Sequence, residues 1–424
     1  MSAEAHDWTA SLLRPLTYEL ANGLRVRLLP DRDARVVAYQ TFFRVGSRDE
    51  RVGRTGIAHL FEHMMFNGAT RYGPKEFDAA LEARGGSSNA YTSNDLTVYH
   101  EEVPAEALDL VIDLESDRLA GLRLSDESLQ SEREVVKEER RMRVEDNVFG
   151  RIDEELSPLV FQAHPYRWPV IGFMSDLDRI SLSDCREFFG RYYAPDNATV
   201  YIGGDFDPDR TLRLIEERYA AIPRGPGTGP VEGDDEPEQR GERRARVVFP
   251  AQTPALLMGF RAVPGHAEQS AALDLIQMML GVGEGSLLVA DLVHRRHLCT
   301  EISVEYAWRK GPGVFMIAAE LPPNGKVDRV VDAIQEHLDA LTQTPAEQKR
   351  LAHAKAQMSL GLLRELSTSS GRAHSLGNAE HLLGGLERAE GQLARVMAVT
   401  RGDVRDAAER TFSVQRRCVV SVQP

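Results

Sequence analysis

The chain has 424 residues, 42% of them hydrophobic, enough for about two to three domains with sizeable cores. Its formal net charge of -14 argues against nucleic acid as a partner, because phosphate binding needs a basic face. No run approaches the roughly 18 apolar residues of a membrane span, and three widely spaced cysteines, Cys185, Cys299 and Cys418, argue against a disulfide framework or a cysteine metal site.

The stretch Met1 to Asp7 has neither a basic start nor an apolar run, so no secretory signal is visible and a cytoplasmic location is expected. Strands are predicted near Leu24 to Leu29 and Val36 to Val45, followed by an amphipathic helix over Gly56 to Phe66. Gly85 and Gly86 mark a tight turn or approach. Asn89 to Tyr99 alternates enough to be a strand, with Tyr91, Thr97, Val98 and Tyr99 favouring extended backbone. Ser131 to Arg140 has no Gly or Pro and reads as helix; Ala198 to Ile202 reads as strand.

From Pro223 to Ala245 the composition turns to Gly, Pro and charge, the mark of a linker. The expected division is residues 1–223, a linker over 224–245, and residues 246–424. Strands follow at Arg246 to Phe249 and Ala255 to Phe260. Gly281-Val-Gly-Glu-Gly-Ser286 is read as a turn into the next helix. It has no P-loop lysine, and Glu284 would repel phosphate. The cysteines are expected to be small buried residues, and Trp8, Trp168 and Trp308 core or interface anchors.

Within the first helix stands His59-Leu60-Phe61-Glu62-His63. At helical spacing His59 and His63 project from one face a turn apart, with Glu62 beside them. Zinc accepts neutral imidazole nitrogens, and a catalytic site keeps one position open for water, whose pKa falls to roughly 7. Glu62 is placed to take that proton. His-x-x-Glu-His is the inverted zincin order, although a short motif also fits two partly buried structural histidines.

A carboxylate should complete the ligand set. Glu132 and Glu139 are seven apart on the Ser131 to Arg140 helix and share a face, while Glu138 points away. Glu139 is therefore taken as the third ligand and Glu132 as a supporting carboxylate behind the ligands. The bland reading of the same helix is a solvated charged surface.

Three blocks, Leu20 to Val26, Val45 to Glu50 and Thr55 to Gly68, resemble the N-terminal half of the pitrilysin family, which contains insulin-degrading enzyme and mitochondrial processing peptidase. The resemblance extends to Gly85 to Thr92 and weakly to the C-terminus, and the Gly-rich segment Gly281 to Ser286 also resembles the family's loop facing the cavity, where contact with substrate is the alternative to a plain turn. It implies a third ligand at Glu139, preceded seven residues earlier by Glu132. It also implies an edge strand beside the zinc, with Asn89 and Ala90 at the substrate-holding positions; strand addition there would give main-chain hydrogen bonds to a peptide. The implied fold is α+β: two homologous domains, each a largely antiparallel sheet with helices on one side, forming half of a clamshell. The implied activity is zinc endopeptidase action on peptides or unfolded segments, with one Zn2+ per chain.

The halves also look like a degenerate repeat. Ile180 to Tyr193 matches Val399 to Phe412, with Asp184, Arg186 and Arg191 recurring as Asp403, Arg405 and Arg410. Ala58 to Phe66 set against Ala272 to Leu280 replaces His59, Glu62 and His63 with Leu273, Ile276 and Gln277, so the second half is read as a metal-free copy.

One departure from the family matters. Complete members use an arginine and a tyrosine seven residues apart in a metal-free domain to hold the substrate backbone and its developing oxyanion. Aligning Leu292, Arg296, Leu298 and Tyr306 places Val293 and Thr300 at those positions. Losing such a donor costs a factor of roughly 10² to 10³. The expectation is a heterodimer, in which a related subunit lacking the zinc motif supplies the arginine and tyrosine. The alternatives are a catalytically weak homodimer or a non-catalytic core subunit.

Overall fold

The computed structural model describes residues 11–229 and 235–422; Trp8, the Met1 to Asp7 signal reading and residues 230–234 of the expected linker fall outside them. The chain forms two compact units. One takes in Met1–Glu139, Pro169–Glu232 and Leu363–Glu390; the other takes in Arg140–Trp168, Gly233–Leu362 and Gly391–Pro424. The units therefore do not follow a single cut at residues 224–245.

In the first unit the sheet order is β1-β2-β6-β3-β5-β4, with β1 (Leu16–Glu19), β2 (Arg25–Pro30), β3 (Val36–Phe43), β4 (Ser87–Thr92), β5 (Thr97–Pro104) and β6 (Ala198–Gly204). Only β2 and β6 run parallel, so the sheet is mixed. After its first residue β3 is buried at every position, on both faces. On one face Tyr39 meets Tyr219 through their hydroxyls at 2.7 Å, and Phe43 packs on Tyr193 with ring centroids 4.6 Å apart. On the other face Gln40 donates to the Ser370 carbonyl and Phe42 stacks on His381. That second face is covered by the helix Ser369–Leu382, which comes from the C-terminal part of the chain. Its approach is close enough that a Cβ on Gly377 would lie 2.2 Å from the Phe42 ring.

The expected strand Asn89 to Tyr99 is corrected to a hairpin: β4 and β5 pair antiparallel around a turn closed by the Ser93 N–H on the Leu96 carbonyl at 2.7 Å. The Ser93 hydroxyl also accepts the Leu96 N–H. The alternation that suggested one strand runs through Ser93, Asn94 and Asp95, whose polar side chains favour a turn, and Leu96.

The second unit repeats this plan. Its strands β7 (Arg243–Val247), β8 (Ala255–Ala262), β9 (Glu301–Ala307), β10 (Gly313–Glu320) and β11 (Arg417–Val422) order as β7-β11-β8-β10-β9. That is the first sheet without β1, with β9 at the edge where β4 stands, and with β7 and β11 as the parallel pair. Leu256, Met258 and Phe260 face a core with Leu273, Ile334, Leu338 and Phe412. Ala255 and Leu257 face Ile152, Leu156 and Val160 of the helix Val148–Val160. Burial on both faces is why β8 reads as an unbroken apolar run, at about 1.5–3 kcal/mol for each large side chain. Each sheet thus has most of its helices on one face and one helix on the other. Uncovered, that second face would expose a row of apolar residues.

Other expectations from the repeat have structural counterparts. Ser181 with Asp184, and Thr400 with Asp403, form reciprocal capping boxes at the starts of Leu182–Tyr192 and Arg401–Thr411. All three cysteines are buried and free, and Trp168 is buried. Among the described residues no helix is long and apolar enough to cross a membrane.

Candidate metal centre

The motif helix α1 (Ile57–Met64) starts at Gly56, whose φ of 87° lies in the left-handed region and where a Cβ would meet the Ile171 carbonyl at 2.6 Å. Its first turn is satisfied by Glu50, which accepts the Gly56 and Ala58 N–H groups at 2.9 Å each. A carboxylate at a helix start is favoured by the N–H groups and the dipole there. Leu60, Phe61 and Met64 are fully buried and anchor one face. The other face carries His59, Glu62 and His63, with the two imidazole centroids 5.0 Å apart.

A second helix, α2 (Asp126–Arg140), delivers the carboxylates. Glu139 Oε2 lies 3.3 Å from His63 Nε2 and 3.8 Å from His59 Nε2. Glu132 Oε2 lies 3.6 Å from His63 Nδ1. His59, His63 and Glu139 each offer a ligand atom within 4.8 Å of the others, and among the described residues no other such group occurs. Ligands about 2.0–2.1 Å from a tetrahedral zinc are spaced about 3.4 Å apart, so this donor set fits the ion without rearrangement of the helices.

The electrostatics point the same way. Burial works against charging His63, but Glu132 and Glu139 outweigh it and lift its pKa to about 9. Burial alone would raise the Glu132 carboxyl, yet His63 and Asn67 hold it below its usual range. Two carboxylates thus converge on imidazole nitrogens and favour positive charge between them. Glu62 accepts a 2.5 Å hydrogen bond from the Thr92 hydroxyl of β4. Sequence reasoning missed Thr92; the signal was its position two residues beyond Ala90, on the same face of the strand.

Asn89 and Ala90 lie on β4, the last strand of the sheet, opposite His100 and Tyr99 of β5. The Asn89 side chain is exposed, and its Oδ1 accepts the Ala90 N–H at 2.8 Å. In the second unit Val293 packs partly against the core. Thr300 is exposed and donates its hydroxyl to the Glu320 carbonyl. Arg295 and Arg296 are ion-paired with Asp291 and Glu336.

A His-x-x-Glu-His helix answered by a glutamate from a second helix is the site of an inverted-zincin metallopeptidase. Residues 25–172 match the model described as insulinase (peptidase family M16), and residues 179–358 match the M16 inactive domain. The chain is 29% identical over 354 residues to the zinc protease PqqE of Helicobacter pylori, covering 83% of this chain and 80% of that one. It is 25% identical to an uncharacterized zinc protease, YmxG, of Bacillus subtilis, covering 93% and 95%. The crystal structure of a protease from Helicobacter pylori superposes with a TM-score of 0.93 at 27% identity, covering 97% of this chain and all of that one. The chain belongs to peptidase family M16, as a metalloprotease with its His-x-x-Glu-His helix intact.

Proposed function

We propose that the chain is a zinc metalloendopeptidase acting on peptides or unfolded segments, with one zinc per chain held by His59, His63 and Glu139. The observation that carries this reading is the convergence of those three ligand atoms beside the Glu62 carboxylate. The names of the relatives, zinc proteases, support zinc as the ion. Zinc bound there would supply a Lewis acid for the scissile carbonyl and the attacking water.

The chain's own residues would do the rest. Glu62 takes a proton from the water and later returns it to the leaving amine. Thr92 fixes one oxygen of that carboxylate. Glu132, beside His63 Nδ1, keeps the proton on that nitrogen and leaves Nε2 as the ligand. The edge of β4 at Asn89 and Ala90 receives the peptide as an added strand, the Asn89 amide giving up the Ala90 N–H as it does so.

The oxyanion pair is the missing part. Val293 and Thr300 offer neither a guanidinium nor a phenol, which supports a heterodimer whose second subunit carries the arginine and tyrosine. Hydrolysis of a mixed fluorogenic peptide library by the zinc-loaded chain alone, with Glu62→Gln as control and oligomeric state recorded in parallel, tests both parts. Stoichiometric zinc with turnover only after a homologous subunit is added is the expected result. Activity of the chain alone, abolished by Glu62→Gln, would retain the peptidase and remove the partner. Equal turnover by Glu62→Gln would remove the assigned base.

A further inference from the structure

The Val45 to Glu50 block caps α1 at one end, through Glu50. Its other end is bound to the turn between β4 and β5. The Ser47 N–H donates to the Ser93 carbonyl at 3.1 Å and the Arg48 N–H to the Asn94 carbonyl at 3.0 Å. Asn94 Nδ2 donates in return to Ser47 Oγ at 3.0 Å. The Arg48 guanidinium donates to Asp95 Oδ1 at 3.0 Å, and both residues are buried. Gly46 permits so close an approach: a Cβ there would lie 2.5 Å from the Asn94 carbonyl oxygen.

The segment between these two grips is stiff. Ser47–Asp49 forms one 3-10 turn, Asp49 accepts the Gly46 N–H at 2.9 Å, and the Tyr192 hydroxyl donates to the Asp49 carbonyl at 3.2 Å. The hairpin turn and the start of the motif helix are therefore held by one short piece of chain. Thr92, whose hydroxyl holds Glu62, immediately precedes Ser93, and Ala90 and Asn89 lie further back along the same strand. A shift at the turn is passed to all of them, and a misplacement of about 1 Å can cost a reaction about 10²-fold.

The second unit shows what a hairpin of this kind needs merely to be held. Between β8 and α3 (Ser270–Gly281) the Gly265 N–H donates to the Arg309 carbonyl in the β9–β10 turn at 2.9 Å. The backbone contact thus recurs, but the buried ion pair does not. His266 and Glu268, the titratable residues of that segment, are exposed, and Arg309 lies over the Tyr166 and Phe161 rings at 4.8 and 5.7 Å. A buried ion pair adds little net stability over apolar residues of the same volume, and its best-attested use is to fix one arrangement. Here it stands only in the unit that carries the metal ligands.

We propose that the buried Arg48–Asp95 pair is a positioning pair for the peptidase reaction: it sets the end of β4, and with it Thr92 and the peptide-receiving edge, against the motif helix. The proposal rests on the peptidase reading. Both residues act through the turn and not on the substrate.

Arg48→Met/Asp95→Leu, which replaces both charges with apolar side chains of similar size, separates position from stability. Asp95→Asn, which leaves Arg48 buried without its counter-charge, is the companion variant. Zinc content, melting temperature and amide hydrogen exchange would be measured on the full-length zinc-loaded chain, together with hydrolysis of the mixed fluorogenic peptide library in whichever state the native chain turns it over. The double variant should melt close to the native chain and keep its zinc, while the β4 amides exchange at least about tenfold faster, kcat falls at least about tenfold, and the α1 and β3 amides stay unchanged as internal references. Asp95→Asn should show the same exchange change with a lower melting temperature. Native exchange of β4 in both variants, or turnover that recovers along with the melting temperature in the double variant, would overturn the proposal and leave the pair a purely structural one. A double variant that lost its fold or its zinc would overturn it too, since the pair would then hold the whole unit and not one strand. Faster β4 exchange in a chain whose native form turns over no peptide in any state would sink the peptidase reading while upholding the hold of the pair on β4.

Discussion

The two motif-bearing helices, α1 and α3, make the most instructive comparison in the molecule. Each packs against the edge strand of its own sheet, β4 for one and β9 for the other. In α3, Leu273 and Ile276 are fully buried in the core. Gln277 accepts the Tyr306 N–H of β9 at 2.8 Å. In α1 the equivalent places hold His59, Glu62 and His63, and it is the Thr92 hydroxyl of β4 that reaches the helix. The contact from helix to edge strand is kept in both units; what differs is whether the face is filled by hydrocarbon or by ligands. Polar groups are tolerated on that face of α1 because Glu132 and Glu139 come down from α2 to meet them.

The comparison can be broken most severely at Glu62. Replacing it with Gln should lower kcat by about 10² to 10⁴ while zinc content, measured by atomic emission, stays at one per chain. Loss of the metal in that variant would show that Glu62 holds the site together and does not act mainly as base. The counterpart in the second unit should behave in the opposite way. Leu273→Ala should cost about 2–5 kcal/mol in denaturant unfolding, without changing zinc content, whereas His59→Ala should abolish zinc binding with a smaller loss of stability in the metal-free chain.

A pH experiment sharpens the contrast further. Burial pushes the Asp274 carboxyl on α3 up to about 7, from an ordinary 3.8. A carboxyl whose folded pKa is raised binds its proton more tightly in the native state than in the unfolded one. Stability should therefore fall as pH rises from about 4 to about 7 and level off above that. Asp274→Asn should flatten this limb, by an amount on the order of a few kcal/mol at pH 8. A limb of unchanged slope in the variant would assign the effect to another group. The smallest effect is expected at Thr92. A hydrogen bond to a charged acceptor is worth about 1.5–3 kcal/mol, only part of which reaches the transition state. Thr92→Val should slow kcat about tenfold with KM little changed, and Thr92→Ser should restore it.

Much was legible from the chain itself. Helical spacing put His59 and His63 on one face and Glu132 with Glu139 on another, because a period of 3.6 fixes such relations before any packing occurs. The two similar units were legible because linked blocks recur, with Asp184 and Asp403 at matching positions that close the capping boxes on Ser181 and Thr400; the α+β class followed from the family resemblance and not from pattern. Burial of the cysteines followed from their chemistry.

The tertiary structure alone decided the rest. Which unit a helix serves is not written in its own periodicity: Val148–Val160 buries Ile152, Leu156 and Val160, whereas Ser369–Leu382 buries Ala373 and Leu376 together with Arg372 and His381, and only the sheets show which surface needed cover. The turn at Ser93 to Leu96 was hidden because alternation survives through it. Thr92 on Glu62, and Arg48 on Asp95, join residues 30 and 47 positions apart. Local sequence sets the direction in which a side chain leaves its helix or strand; long-range packing sets what it meets.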